Sequence, residues 1–302
     1  MNAAEYSLTP DAPLKSVGVI GALLIVYIVW GSTYLAIRFA LESFPPFYIG
    51  TMRFTVGGLL FYGWLRMTGH PAPTPRQWRS AALLGFMLLT TGNGAVMYAQ
   101  QWVGSALAAT MVATVPLWAA LFAGVWGRWP QRLEWVGLAI GFAGIVLLNL
   151  EGDFVAKPLM ALVLVIAAAS WAFGSLYSRR IDLAPGMMNA ATQMLFGGLF
   201  MGLISLARGE TLDAVPSLKS VAAIAYLIVF GSIIAFSAYV WLVANTRSTV
   251  ATSYAYVNPL VAVLLGMTLA GERIGAVGFA AIGLVLVGVA MLLNASRSTR
   301  FG

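Results

Sequence analysis

Apolar residues run through this chain in long blocks, and polar residues gather in the short breaks between them. A helix needs about 20 apolar residues to cross a hydrocarbon core of roughly 30 Å. Ten blocks near that length can be placed, at residues 17–38, 47–67, 80–99, 103–127, 133–150, 158–178, 187–207, 219–242, 248–270 and 275–294. Several breaks hold helix-ending prolines, as in "SFPPF" from Ser43 and "HPAPTPRQ" from His70, because proline lacks a donor and clashes with the preceding turn. The pattern predicts an all-α integral membrane protein of ten transmembrane helices, flanked by tails at residues 1–16 and 295–302. The first block exceeds the 7 to 15 residues usual for a signal-peptide core and reads as a retained span.

The polar interruptions within the blocks also repeat. "WGSTYLAIR" (Trp30 to Arg38) returns in outline as "WAFGSLYSR" (Trp171 to Arg179), which aligns both the tryptophans and the arginines. Later, "SALAATMVATVPLWAALFAG" from Ser105 runs beside "STVATSYAYVNPLVAVLLGM" from Ser248, with Pro116 on Pro259. "VGLAIGFAG" from Val136 likewise resembles the glycine-spaced run from Val277. The chain therefore divides into two five-helix repeats, residues 17–150 and 158–294. Five is odd, so the second copy enters the membrane in the opposite direction. Inverted repeats of this kind are characteristic of transporters, which expose a midplane site alternately to the two sides.

Composition supports the membrane reading and charge orients it. The chain is 60% hydrophobic and only 9% charged, against about 25% charged in soluble domains. Eleven cations fall on one side (Lys15, Arg66, Arg76, Arg79, Arg128, Arg132, Arg179, Arg180, Arg247, Arg297, Arg300) and five on the other (Arg38, Lys157, Arg208, Lys219, Arg273). The positive-inside rule then places both termini in the cytoplasm. The net charge of +7 is dispersed among short loops, which fits orientation in a bilayer and not a nucleic-acid partner. No cysteine is present, so disulfides and thiolate chemistry are excluded. The lone His70 lies between polar turns, where a solvated role outweighs a ligand role.

Candidate chemistry lies in the polar groups that the spans carry at a cost. Ser32, Thr33, Tyr34, Asn93, Tyr98, Thr110 and Thr114 fall in the first half, and Ser170, Ser175, Tyr177, Tyr239, Tyr254, Tyr256 and Asn258 in the second. All are neutral and suit a small polar ligand, although a membrane Ser or Thr commonly bonds its own preceding turn. Trp30 and Trp171 each lie 13 residues into their spans, too deep for an interfacial belt. They are expected to wall one cavity from opposed helices, with Gly31 and Gly174 leaving room. Tyr98, Trp118, Tyr239 and Tyr254 would extend the aromatic lining, and Met111 would adapt to ligand shape. The expected substrate-binding set is thus Trp30, Tyr34, Asn93, Tyr98, Met111, Trp118, Trp171, Ser175, Tyr239, Tyr254 and Asn258.

Charged groups restrict the mechanism. The ten carboxylates, including Glu42, Glu134, Glu210 and Glu272, fall at helix ends, in loops or in the N-terminal tail, so a deep proton relay has no candidate. Arg53 is the one deep cation, and it is expected to snorkel outward or to pair with Glu42. Arg38, Arg53 and Glu272 are therefore assigned gating or structural roles. Glycines at Gly137, Gly141 and Gly144, and at Gly197, Gly198 and Gly202, fit close helix packing. No Walker, Rossmann, metal or nucleophile-base motif occurs in a credible context, so neither enzyme activity nor a cofactor is expected.

The ten spans, the duplication, "WGSTYLAIR", "MRF" (Met52 to Phe54) and "NPLVAVLLGMTLAGERIG" from Asn258 together resemble the drug/metabolite transporter superfamily. Within it the chain is similar to EamA-type exporters, and most to the YddG-like branch that exports aromatic amino acids and other metabolites. The first half has Val115-Pro116 and Gly127-Arg128 where the second has Asn258-Pro259 and Gly271-Glu272. The resemblance implies that helices 1, 3, 4, 6, 8 and 9 surround a central cavity while helices 5 and 10 mainly pack. It also implies export of a small-molecule substrate, amino acids above all, across the bacterial inner membrane. The alternatives are transport of phosphorylated sugars or nucleotide-sugars and, from another class, a membrane-embedded enzyme or receptor.

Overall fold

The computed structural model describes residues 12–103, 105–127, 129–149 and 158–270, and beyond these residues 277, 280, 283–288, 290 and 291. Glu272, most of the N-terminal tail and the C-terminal tail lie outside the described residues. All secondary structure among the described residues is helical. α1 runs through Ala12–Ile25, Val26–Trp30 and Gly31–Leu41, and α2 through Pro46–Thr51, Met52–Val56 and Gly57–Met67. α3 comprises Pro75–Leu84, Gly85–Gly94 and Ala95–Ala99; α4 comprises Ser105–Val112 and Val115–Val125. α5 is Arg132–Asn149, α6 is Pro158–Tyr177 and α7 is Met187–Ala207. α8 joins Leu218–Tyr226, Leu227–Ile234 and Ala235–Asn245, and α9 joins Ser248–Ala251 to Tyr254–Ala270.

Among the described residues, five unbroken runs are long and apolar enough to span a bilayer: Val17–Leu41, Pro75–Ala99, Pro158–Arg180, Met187–Ala207 and Leu218–Asn245. Local chemistry sets many of their ends. α2 and α3 begin on prolines, whose missing N–H is unneeded in the first turn. Thr74 and Gln77 form a capping box at α3, and Ser217 caps α8. Glu210 accepts from the Tyr48 N–H at 2.9 Å, placing a carboxylate at the α2 N-terminus where the helix dipole favours it. Glu134 caps α5 through the Gln131 N–H and also meets Arg247 at 3.1 Å.

Lipid is as apolar as leucine, so association of these helices relies on close packing and hydrogen bonds. α1 packs on α8 and α9, and α6 packs on α3 and α4. These two contacts of α1 correspond to the two of α6 when every helix number is moved by five. Small residues permit the closest approaches: a Cβ on Gly198 of α7 would stand 2.5 Å from the Thr55 backbone nitrogen of α2. A Cβ on Gly288 would meet the Gly137 carbonyl of α5 at 2.7 Å.

Widened π-helical turns occur in α1, α2, α3 and α8, at Val26–Trp30, Met52–Val56, Gly85–Gly94 and Leu227–Ile234. Such turns loosen the regular carbonyl ladder and are frequent at functional sites. Here hydroxyls five residues on help to satisfy the carbonyls, Ser232 bonding Leu227 O at 3.0 Å and Thr90 bonding Gly85 O at 3.4 Å. The two widened stretches in α3 and α8 are centred at nearly the same spacing as the two tryptophans.

Candidate functional site

The widened turn of α1 ends on Trp30, whose ring meets that of Trp171 from α6 edge-on, with centroids 5.5 Å apart. Tyr239 of α8 lies 5.1 Å from Trp30 and 5.3 Å from Trp171, while Tyr254 of α9 lies 4.9 Å from Trp30. Four helices therefore contribute one ring each to a compact aromatic layer. All four residues are buried. Edge-to-face pairs of this kind add about 0.5–1.5 kcal/mol beyond area burial.

Hydrogen bonds fix the layer. Trp171 Nε1 donates to Tyr239 Oη at 2.9 Å, Tyr239 Oη lies 2.6 Å from Ser175 Oγ, and Ser175 Oγ donates to Trp171 O at 2.6 Å. With Tyr239 donating to Ser175, these groups form a closed cycle in which every member is satisfied. Trp30 Nε1 donates instead to the Gly231 carbonyl at 3.0 Å, within the widened turn of α8.

A cavity whose empty space, open solvent included, is about 520 Å³ lies against this layer. Its lining includes Trp30, Thr33, Tyr34 and Ile37 of α1, Gly92, Asn93 and Val96 of α3, and Val112 and Val115 of α4. Ala167, Ala168 and Trp171 of α6, Tyr254 and Asn258 of α9, and Arg53 of α2 complete it. With its amide nitrogen turned to donate, Asn258 bonds the carbonyls of Tyr254 and Tyr27 at 3.1 and 3.3 Å. Gly92 admits the Trp171 ring, since a Cβ there would stand 2.8 Å from Cε3.

Beyond the layer lies a larger space, about 990 Å³ with open solvent included, bordered by Glu134, Leu176, Arg179, Arg180 and Arg247. Two smaller spaces adjoin Ser175 and Arg179, and Arg179 Nη2 donates to Thr246 O at 2.7 Å. Moving along α1 from Trp30 leads past the cavity toward exposed Arg38, whereas moving along α6 from Trp171 leads away from the cavity toward Arg179.

Of the expected binding residues, Trp30, Tyr34, Asn93, Trp171, Tyr254 and Asn258 line the cavity. Ser175 and Tyr239 belong to the layer's far side. Tyr98 is elsewhere, packed with Phe47 and Trp102 beneath the Arg208 guanidinium. Trp118 stacks toward Phe122, and Met111 packs into the side cluster with Ala108, Ala109 and Leu164. None of the three lines the cavity. Gly31 and Gly174 do not make room either: a Cβ would meet Val261 at 2.5 Å and Leu88 at 3.1 Å respectively, so both serve helix contact.

Arg53 requires the larger correction. It neither snorkels nor pairs with Glu42, which instead meets Lys219 at 2.7 Å. Arg53 is 2% exposed, and its Nε donates to Ser232 Oγ at 2.8 Å and its Nη2 to Gly231 O at 3.1 Å. Those partners lie on α8, and only the three-dimensional arrangement brings them to α2. Ile37, Val96, Val112, Val115 and Ala167 were also missed as lining, since nothing in sequence separates a cavity-facing Val from a lipid-facing one.

The EamA-like transporter family model matches residues 17–150 and 158–294. The chain is 46% identical over 273 residues to the uncharacterized inner membrane transporter YedA of Escherichia coli K12, covering 90% of this chain and 89% of that protein. It is 24% identical over 294 residues to a WAT1-related chloroplastic protein of Arabidopsis thaliana, covering 92% of this chain and 68% of that protein. A crystal structure at 20% sequence identity superposes with a TM-score of 0.77, covering 94% of this chain and 99% of the other, which shows a shared fold. The chain belongs to the EamA-like transporter family and is a multi-pass membrane transporter, not an enzyme.

Proposed function

We propose that the protein exports small neutral or zwitterionic metabolites, amino acids including aromatic ones, across the bacterial inner membrane by alternating access. The observation that carries this reading is the single aromatic layer between the cavity on the Arg38 side and the cationic space on the Arg179 side. Parting that layer on one side while closing the cavity on the other moves a solute without opening a continuous pore. In this reading the chain has ten spans in two inverted five-helix repeats, with both termini cytoplasmic. The opposite senses of α1 and α6 through the layer support it, as do the paired helix contacts and the two separate family matches. The inner-membrane setting of YedA supports the location.

Apolar and aromatic walls favour flat, partly apolar solutes, and Asn93, Asn258, Thr33 and Tyr34 supply neutral hydrogen-bonding groups. Arg53 is the one cation among the described lining residues, whereas a phosphate group calls for several Arg or Lys donors. The described lining residues include no carboxylate or histidine, which favours facilitated flux or exchange over proton coupling. Counterflow of labelled phenylalanine into preloaded proteoliposomes tests the function. Saturable uptake that is insensitive to an imposed proton gradient is expected; absence of saturable flux for phenylalanine and for small amino acids alike would remove the substrate assignment.

A further inference from the structure

Arg53 is held where an arginine is costly. It lies in a membrane helix, 2% exposed, and none of the salt bridges among the described residues involves it. Its guanidinium carbon stands 4.8 Å over the Phe54 ring, and its Nε and Nη2 are occupied by Ser232 and Gly231. Nη1 is buried with no partner among the described residues, and the residue lines the cavity. A charge withdrawn from water without a counter-ion is strongly unfavourable, and an unused buried donor adds to the cost. A ligand carrying an anionic group removes both penalties.

The surroundings define that ligand. A lone guanidinium matches one negative charge, and its unpartnered Nη1 can donate to a carboxylate in a charge-assisted bond. The nearby walls of Trp30, Ile37, Val96 and Trp171 require the carboxylate to be attached to an apolar body. The Gly231 carbonyl accepts from both Arg53 Nη2 and Trp30 Nε1, so a shift of the guanidinium toward a ligand loads the bond that anchors Trp30. A side chain at position 231 would obstruct this node, since its Cβ would lie 3.0 Å from Arg53 Nη2.

We propose that Arg53, through Nη1, is the docking point for the carboxylate of an amphipathic substrate, and that the shared Gly231 carbonyl links its occupancy to the Trp30 side of the aromatic layer. The proposal rests on the transport reading for its use of the cavity, but the recognition chemistry is tested separately.

The test uses the full chain in lipid nanodiscs, with equilibrium binding of phenylpropionate, its uncharged amide phenylpropionamide, and phenylalanine. Phenylpropionate is expected to bind wild type about 10- to 100-fold more tightly than the amide, the range for a hydrogen bond to a charged group. Arg53→Gln is expected to abolish this discrimination and Arg53→Lys to retain part of it. Equal affinity for acid and amide in the wild-type protein overturns the proposal, as does failure to bind either carboxylate, and neither result depends on a variant folding. Binding of phenylpropionate but not phenylalanine sustains Arg53 docking and removes the amino-acid reading. Transport of phenylalanine without acid-over-amide discrimination sustains that reading and removes the docking point.

Discussion

Trp30 and Trp171 occupy matching places in two repeated words, yet their indole nitrogens are held in different ways. Trp30 bonds a backbone carbonyl in a widened helical turn, whereas Trp171 bonds a tyrosine hydroxyl within a side-chain cycle. Both anchors, Gly231 and Tyr239, are on α8. α3 touches Trp171 through Gly92 and bonds its neighbour Ser170 at the Met87 carbonyl. Unequal hydrogen bonding thus makes the two sides of the layer differ. The arginines that end the two words diverge likewise: Arg38 is exposed, whereas Arg179 borders the spaces beyond the layer.

The strongest break in this comparison is removal of either ring. Trp30→Ala and Trp171→Ala each delete a buried aromatic that touches three helices, and truncations of that size cost about 3–5 kcal/mol. Both are expected to lower thermal stability in detergent and to reduce counterflow by at least about tenfold, because about 1.4 kcal/mol corresponds to tenfold in an equilibrium. A sharper break is Tyr239→Phe, which keeps the ring and deletes only the oxygen that receives from Trp171. It leaves a buried indole N–H unpaired, at about 1–3 kcal/mol, while the Trp30 anchor stays intact. Fold stability is expected to fall less than in the alanine variants, with access to the layer rising on the Arg179 side; equal changes on both sides, read by labelling of introduced cysteines, would contradict the asymmetry.

The legible part of the fold was what depends on local composition. Hydropathy and prolines placed the helices, and the recurrence of Trp30 and Trp171 signalled that the two rings belong together. Rotation of each helix was less legible, because a helix apolar on all sides presents no polar face to distinguish lipid from protein. The placement of Tyr98, Met111 and Trp118 away from the cavity is not readable in the sequence for that reason. Arg53 was misread because its partners, Ser232 and Gly231, lie 179 and 178 residues away in sequence. The widened turns were equally invisible, since side chains on neighbouring helices help to satisfy the carbonyls they release.

The most direct test of the account asks whether one cavity is reached alternately from two sides. The chain has no cysteine, so a single thiol can be introduced on α6 either before the layer, as Ala168→Cys, or beyond it, as Leu176→Cys. A membrane-impermeant maleimide is then applied separately from each face of oriented vesicles. Without substrate, Ala168→Cys is expected to be labelled from the outer face only and Leu176→Cys from the inner face only. During phenylalanine exchange, Ala168→Cys should also become reactive from the inner face. Free labelling of Ala168→Cys from both faces without substrate, or continued protection from the inner face while phenylalanine is moving, would contradict alternating access through this layer.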